Sequence, residues 1–275
     1  MSPAKRIALP QALPSERPKG ASAGASSSGP EAVDLLIQRT PSGIPGLDEL
    51  CEGGFERGSS VLVMGDAGSG KTTLMTQFIV SGAREHDEPG LIISFEESRE
   101  SILRHSFPFG WDMERLEREN KLVIINYKPH EVKHLAEEGG GLIWDAINEL
   151  GAKRIAFDSL TSYIALFDSP YKSRSAQLNL FDLVHKWGCT TLFSAESLKS
   201  INPKTYAGVE YLADAVILMH HPRQRNVRFR ALEVFKMRGT NHSQKICPFE
   251  FVSGQGLFVY PGEDIFEEFH TKGGL

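Results

Sequence analysis

The chain has 275 residues, of which 40% are hydrophobic and 24% are charged, and its formal net charge is −5. These proportions are ordinary for a soluble globular protein, and the length suits one large domain or two small ones. A negative net charge argues against a general nucleic-acid binder, because such proteins usually present a basic face.

No stretch approaches the run of roughly 18 apolar residues that a membrane span requires, so we expect no membrane contact. The three cysteines lie far apart and form no CxxC pair, which indicates neither a zinc site nor a disulfide framework. We therefore expect a cytoplasmic protein whose thiols stay reduced, at Cys51, Cys189 and Cys247.

The N-terminal segment differs in composition from the rest of the chain. Five of the 15 prolines lie within residues 1–30, beside a tract of alanine, serine and glycine. Such a segment has too little apolar surface to offset the entropy of ordering it. We expect a disordered tail over 1–35, a folded domain over 36–265 and a short tail over 266–275.

Within the expected domain, apolar runs alternate with segments of helical pattern. The runs predict strands at 61–64, 91–94, 122–125, 154–157, 190–193 and 215–219. Helices are predicted at 72–85, 98–107, 142–150 and 176–187. Continuous apolar strands that alternate with helices are typical of an α/β fold with a mostly parallel sheet, covered by helices on both faces. Two further strands, predicted at 229–236 and 245–251, indicate a C-terminal antiparallel extension.

A phosphate-binding motif follows the first predicted strand. The pattern GxxxxGK[ST] is matched in full by Gly65, Asp66, Ala67, Gly68, Ser69, Gly70, Lys71 and Thr72, and Thr73 comes next. Glycines let successive N–H groups point at phosphates, backed by the N-terminus of the following helix. Lys71 is expected to reach the β- and γ-phosphates of ATP, and the Thr72 hydroxyl is expected to coordinate Mg²⁺.

Carboxylates follow two other predicted strands. Asp158 ends the strand at 154–157, which is the Walker B pattern for a residue beside Mg²⁺. Glu96 and Glu97 follow the strand at 91–94, so one of them could activate an attacking water. The same two residues could instead simply begin the next helix, where the helix dipole favours acidic side chains. The residues alone leave both interpretations open.

Several segments together resemble the KaiC family of RecA-like ATPases. They are TPSGIPGLDELCEGGF at 40–55, ISFEES at 93–98, FGWD at 109–112, FDSLTS at 157–162 and FKMRGTNHS at 235–243. The resemblance implies that Glu96 and Glu97 activate water. It also implies that Lys236 and Arg238, which composition alone would interpret as solvated strand ends, reach the ATP site of a neighbouring subunit. A ring, expected to be a hexamer with ATP between subunits, and control of a regulatory protein partner follow from the same resemblance.

The chain differs from KaiC, which carries two such domains in tandem. Glu210 and Tyr211 stand where the second KaiC domain has its phosphorylated Ser and Thr, so this copy resembles the ATPase-type domain. Two alternative functions remain open: a DNA-binding recombination accessory ATPase and a serine/threonine autokinase.

Other conspicuous residues are interpreted as structural. A solvated hairpin tip is predicted for Arg223, Arg225, Arg228 and Arg230. Core positions are predicted for Trp111, Trp144 and Trp187. Lys172 and Arg174 are expected in a loop that faces the pore of RecA-like rings. His242 is expected either near the nucleotide or in a structural hydrogen bond.

Overall fold

The fold is described by a computed structural model that covers residues 37–127, 141–196, 208–224 and 226–263. The two predicted tails and Arg225 lie outside the described residues. The first eight strands are β1 Arg39–Thr40, β2 Phe55–Glu56, β3 Ser60–Gly65, β4 Gly90–Ser94, β5 Leu122–Asn126, β6 Arg154–Asp158, β7 Thr190–Ala195 and β8 Ala215–His220. The remaining strands are β9 Arg223–Gln224, β10 Val227–Arg228, β11 Ala231–Met237, β12 Cys247–Val252 and β13 Gly256–Val259.

Helices connect most of the parallel strands. They are α1 Leu47–Leu50, α2 Lys71–Glu85, α3 Arg99–Ser106, α4 Met113–Arg118, α5 Gly141–Leu150, α6 Leu160–Ile164, α7 Pro170–Trp187 and α8 Val209–Leu212, with a 3₁₀ turn at Phe107–Phe109. Side chains cap several of them: Ser98 accepts a hydrogen bond from the Ser101 N–H at the start of α3, and Ser159 does the same for Ser162 in α6. Among the described residues, no helix is long and apolar enough to cross a membrane.

Nine strands form the central sheet, in the order β13-β12-β11-β8-β3-β7-β6-β4-β5. The strands from β8 to β5 in this order run parallel, and β11, β12 and β13 continue the sheet antiparallel. The predicted mostly parallel sheet with an antiparallel C-terminal extension is therefore confirmed. The P-loop strand β3 lies inside this sheet, between β7 and β8.

Alternate residues of β3 enter two separate cores, one on each face of the sheet. Val61 and Val63 pack in the core that contains α2, whereas Leu62 and Met64 pack in the core that contains α5, α6 and α7. All six residues of β3 are buried. Burial on both faces explains why this strand is continuously apolar rather than alternating.

Three of the structural interpretations need correction. Lys172 and Arg174 lie in the first turns of α7 rather than in a loop, because Ser169 caps a helix that begins at Pro170. Trp144 is 43% exposed, unlike Trp111 and Trp187, since α5 turns that position away from the sheet.

The third correction concerns the arginine cluster. Arg223 and Arg228 lie in the small β9–β10 hairpin and are exposed, as predicted. Arg230 is different, because its guanidinium stacks over the Phe251 ring at 4.9 Å and is partly buried. It belongs to the base of the sheet extension rather than to the hairpin tip.

Candidate functional site

The GxxxxGK[ST] segment forms the turn between β3 and α2. Gly70 precedes α2 with φ of 105°, a left-handed conformation that favours glycine. A Cβ at Gly70 would lie 2.4 Å from the Phe251 ring, and one at Gly65 would lie 2.5 Å from the Met219 carbonyl oxygen. The two glycines are thus required by backbone shape and by close packing, and they direct the N-terminus of α2 toward the loop.

The Lys71 ammonium lies over the loop itself. Its Nζ donates to the carbonyl oxygens of Gly65 at 2.8 Å and Asp66 at 3.1 Å. Burial lowers the pKa of Lys71 from its ordinary value, and the surrounding carboxylates, of which Asp158 acts most strongly, oppose that shift. The amine therefore stands in a field of negative charge at the head of the loop.

Thr72 and Asp158 are brought together from positions 86 residues apart. The Thr72 hydroxyl donates to Asp158 Oδ2 at 2.6 Å, and the Ser194 hydroxyl donates to Asp158 Oδ1. The carboxylate is buried, and burial raises the pKa of Asp158 from its ordinary value although both hydrogen bonds act in the opposite direction. β6 and β7 are parallel neighbours, which explains why their carboxyl ends meet here.

The oxygen atoms of Thr72 and Asp158 fit a magnesium ion. Hydroxyl and carboxylate oxygens are the hard donors that Mg²⁺ prefers. Among the described residues no group of three or more His, Cys, Asp or Glu side chains could hold a metal by itself. In phosphate sites Mg²⁺ typically takes one or two protein ligands and completes its shell with water and phosphate oxygens.

Glu96 and Glu97 lie in the turn between β4 and α3, after the strand rather than within the helix. The Ser94 hydroxyl accepts hydrogen bonds from both of their backbone N–H groups. Their side chains diverge: Glu96 accepts from the hydroxyls of Ser159 and Ser162, whereas Glu97 accepts from Ser101 and His105. The helix α3 begins at Arg99, so neither glutamate is part of its first turn.

Lys236 and Arg238 lie near the amino ends of the parallel strands, whereas the P-loop lies at their carboxyl ends. Lys236 is paired with Val216 near the amino end of β8, whereas Gly65 of the P-loop is level with Met219 near its carboxyl end. Lys236 Nζ donates to the carbonyl oxygens of Glu210 and Ala213. Val216 is paired with Leu62 of β3, which lies three residues before Gly65, or roughly 10 Å along the strand. The structure thus does not bring these cations to the phosphate loop of their own chain.

Asp214 orients Arg238, a contact that the sequence pattern did not indicate. Arg238 donates to Asp214 Oδ1 at 3.1 Å, and the other oxygen of that carboxylate accepts from the backbone and hydroxyl of Ser60. Exposed Tyr211 adds a carbonyl acceptor for Arg238. His242 bonds within its own loop, with Nδ1 at 3.0 Å from the Ser243 carbonyl oxygen.

Sequence reasoning also missed Ser194 and Glu196. Both come from the end of β7, and Glu196 lies close enough to Lys71 to influence its pKa. The available signal was the same one that identified Asp158: a polar residue at the carboxyl end of an apolar strand. That signal does not reveal that β7 lies next to β3, so the sequence alone does not place these residues beside Lys71.

Comparisons with known proteins agree with this architecture. A family model described as "ATPase: KaiC" matches residues 40–264. The crystal structure of the KaiC-like protein PH0186 from Pyrococcus horikoshii OT3 is similar with a TM-score of 0.73 and 35% identity, covering 82% of this chain and 100% of that one. The UPF0273 protein MJ1359 from Methanocaldococcus jannaschii is 32% identical over 241 residues, or 82% of this chain and 97% of that protein.

Longer relatives match over one part of their length. The circadian clock oscillator protein KaiC from Prochlorococcus marinus subsp. pastoris is 34% identical over 237 residues, which are 84% of this chain and 46% of that protein. The chain thus spans about half the length of the KaiC relatives it matches. A family model that covers most of the chain, together with a similar fold and a P-loop at the expected strand end, shows that the chain belongs to the KaiC ATPase family and carries one copy of its ATPase domain.

Proposed function

We propose that this protein is a Mg²⁺-dependent ATPase whose P-loop, residues 65–72 with Thr73, binds the phosphates of ATP. The observation that carries the proposal is the convergence of four parallel strand ends, at Gly65, Ser94, Asp158 and Ala195, on one edge of the sheet. Ligands of open α/β sheets bind at such an edge. Its side chains supply one amine, a hydroxyl–carboxylate pair and two glutamates, which is the set that phosphoryl transfer to water requires.

In this mechanism Lys71 contacts the β- and γ-phosphates, and Thr72 and Asp158 hold Mg²⁺. When bound, the metal would neutralise the charge that develops on the phosphate oxygens. Glu96 or Glu97 accepts a hydrogen bond from water and takes its proton as the water oxygen bonds to the γ-phosphorus. The bond from that phosphorus to the β-γ bridging oxygen breaks, and ADP leaves with phosphate.

We further propose that the protein acts as a ring, with six subunits and ATP between them. Lys236 and Arg238 lie too far from their own P-loop to serve it. We therefore assign them to the ATP site of a head-to-tail neighbour. A cation supplied in trans is a common device in phosphoryl transfer. The family membership supports slow hydrolysis in which the nucleotide state regulates a protein partner in the cytoplasm.

The test measures phosphate release by the wild type and by the double variant Glu96→Gln/Glu97→Gln, with size-exclusion chromatography in ATP. We expect the wild type to release phosphate, the variant to lose at least about a hundredfold in rate, and both to assemble. Glu100→Gln is the matched control, because Glu100 is an exposed acid in the first turn of α3. A double variant as active as this control would show that the glutamates are not catalytic. Transfer of γ-phosphate to the protein would favour an autokinase instead.

A further inference from the structure

A histidine is hydrogen-bonded to one of the two glutamates. His105 Nδ1 is 3.0 Å from Glu97 Oε2, and the Ser101 hydroxyl donates to the same oxygen at 2.8 Å. Ser101 and His105 are four residues apart on α3, so they project from one face of that helix. One helix therefore holds the side chain of Glu97 with two adjacent donors.

The two glutamates differ in the kind of donor that holds them. Glu96 accepts from two serine hydroxyls, which do not change charge near neutral pH. Glu97 is held in part by an imidazole, a group that does change charge near neutral pH. A carboxylate oxygen can only accept, so Nδ1 must carry a hydrogen in this contact whether the ring is neutral or charged.

Glu97 and His105 also share a small pocket beside the P-loop. Thr72 and Thr73, at the start of α2, line the same pocket. His105 and Glu97 thus line one pocket with the threonine assigned to Mg²⁺, and the histidine is not merely on the outer surface of the domain. Its side chain is 63% exposed, so protons from solvent can reach it.

We propose that His105 is a positioning residue that orients Glu97 and sets the pH at which this glutamate can act as the base in hydrolysis. This inference rests on the proposed function of Glu97. A charged imidazole makes a charge-assisted hydrogen bond that stabilises the Glu97 carboxylate and so weakens it as a proton acceptor. A neutral imidazole holds the carboxylate in the same place and leaves it more basic. The rate of hydrolysis should therefore rise as His105 loses its proton.

Few other groups in the pocket compete for this effect. The pocket residues contributed by α2 are Thr72, Thr73 and Thr76, and Phe109 and Trp111 close the side after α3, so none of them titrates near neutral pH. On α3 itself the pocket is lined by Ile102, Ser106 and His105. Asp158, Glu96 and Lys71 lie in the neighbouring metal and phosphate site. His221 interacts with Asp66 of the P-loop, so a control variant at His221 is needed as well.

The experiment compares kcat and KM for ATP between about pH 5.5 and about pH 8 in the wild type, His105→Asn and His221→Asn. The amide nitrogen of asparagine occupies the place of Nδ1, so His105→Asn keeps a donor to Glu97 that does not titrate. We expect wild-type kcat to rise by about tenfold over this range as the imidazole loses its charge. His105→Asn should change less than about twofold, with KM at pH 8 within about twofold of wild type. His221→Asn should keep the rise.

Other results would overturn the inference. A wild-type kcat that does not rise, or a rise that persists in His105→Asn, would show that His105 does not set the pH dependence. Loss of the rise in His221→Asn would assign it to the other histidine. The variant Glu97→Gln distinguishes a failure of this inference from a failure of the proposed function. If Glu97→Gln is inactive while His105→Asn keeps the rise, only the inference fails, whereas a Glu97→Gln variant as active as wild type would overturn both.

Discussion

At the scale of single residues, Asp158, the proposed Mg²⁺ ligand, carries a cost in stability. It is buried, and burial raises its pKa from the ordinary value, so the folded protein holds the proton more tightly than the unfolded chain. A group whose pKa is raised on folding contributes stability at low pH, and that contribution is lost as the pH rises through the folded pKa. Thr72 and Ser194 reduce the cost by donating to the charged form.

We predict that Asp158→Asn separates stability from activity. The neutral amide removes the buried charge, so the free energy of unfolding without nucleotide should increase by about 1 kcal/mol at pH 8, and the gain should shrink toward pH 5 as wild-type Asp158 takes up a proton. Phosphate release should fall by at least about a hundredfold, because a metal ligand is lost. Urea unfolding at both pH values and a phosphate assay measure the two effects. Asp145→Asn, on an exposed face of α5, is the control, and equal unfolding energies for the two variants at pH 8 would contradict the prediction.

At the scale of elements, the P-loop depends on a strand from the far end of the chain. The ring of Phe251 in β12 packs on Gly70, and the Phe109 ring lies 6.0 Å from that of Phe251. The antiparallel extension therefore supports the start of α2 in addition to widening the sheet. Such support keeps the loop in a shape whose N–H groups converge on phosphate.

We predict that Gly70→Ala lowers ATP affinity by at least about tenfold, or about 1.4 kcal/mol. The added methyl group would meet both an unfavourable φ of 105° and the Phe251 ring. Gly151→Ala is the matched control, since Gly151 also has positive φ, at 66°, but a Cβ there meets nothing within 4 Å. Fluorescent-nucleotide titration measures affinity, and circular dichroism verifies the fold. If both variants bind ATP equally well, packing at Gly70 does not shape the site.

At the scale of the whole molecule, the parallel sheet keeps the two groups of proposed functional residues apart, at opposite ends of its strands. The P-loop, Asp158, Glu96 and Glu97 are at the carboxyl ends of strands, and Lys236 and Arg238 are near the amino end of β8. Hydrogen bonds to Asp214 and Tyr211 already orient Arg238 within its own chain. A head-to-tail assembly would bring the two groups of neighbouring subunits together.

We predict that two inactive variants restore activity when they are mixed. Glu96→Gln/Glu97→Gln keeps its cations, and Lys236→Ala/Arg238→Ala keeps its glutamates, so an interface that joins the intact half of each is complete. Random mixing in equal amounts should recover about a quarter of wild-type phosphate release, the share of interfaces with two intact halves. Each variant alone serves as the baseline. No recovery from subunits shown to exchange would indicate that the sites are not shared between chains.

Much of this protein could be predicted from its sequence, because the decisive signals are local. The P-loop motif, the apolar strand before it and the helix after it are contiguous, and Asp158 at the end of β6 carries the Walker B pattern from which we propose the Mg²⁺ site. The sequence also carries a signal for the start of α7, because Ser169 followed by Pro170 is a helix-start signature, although the apolar pattern alone predicts a start six residues later.

Only the tertiary structure decided how distant residues meet. Thr72 and Asp158 are 86 positions apart, and Ser60 and Asp214 are 154 apart, so their pairing depends on strand order, which sequence periodicity does not encode. The same holds for Arg154, a fully buried arginine that pairs with Glu88 and stacks over Phe78. Local sequence determined the chemistry at each strand end through residue type and spacing. The folded sheet determined which ends share an edge, and thus that Glu97 meets His105 while Arg238 faces away, because packing across the sheet sets those distances.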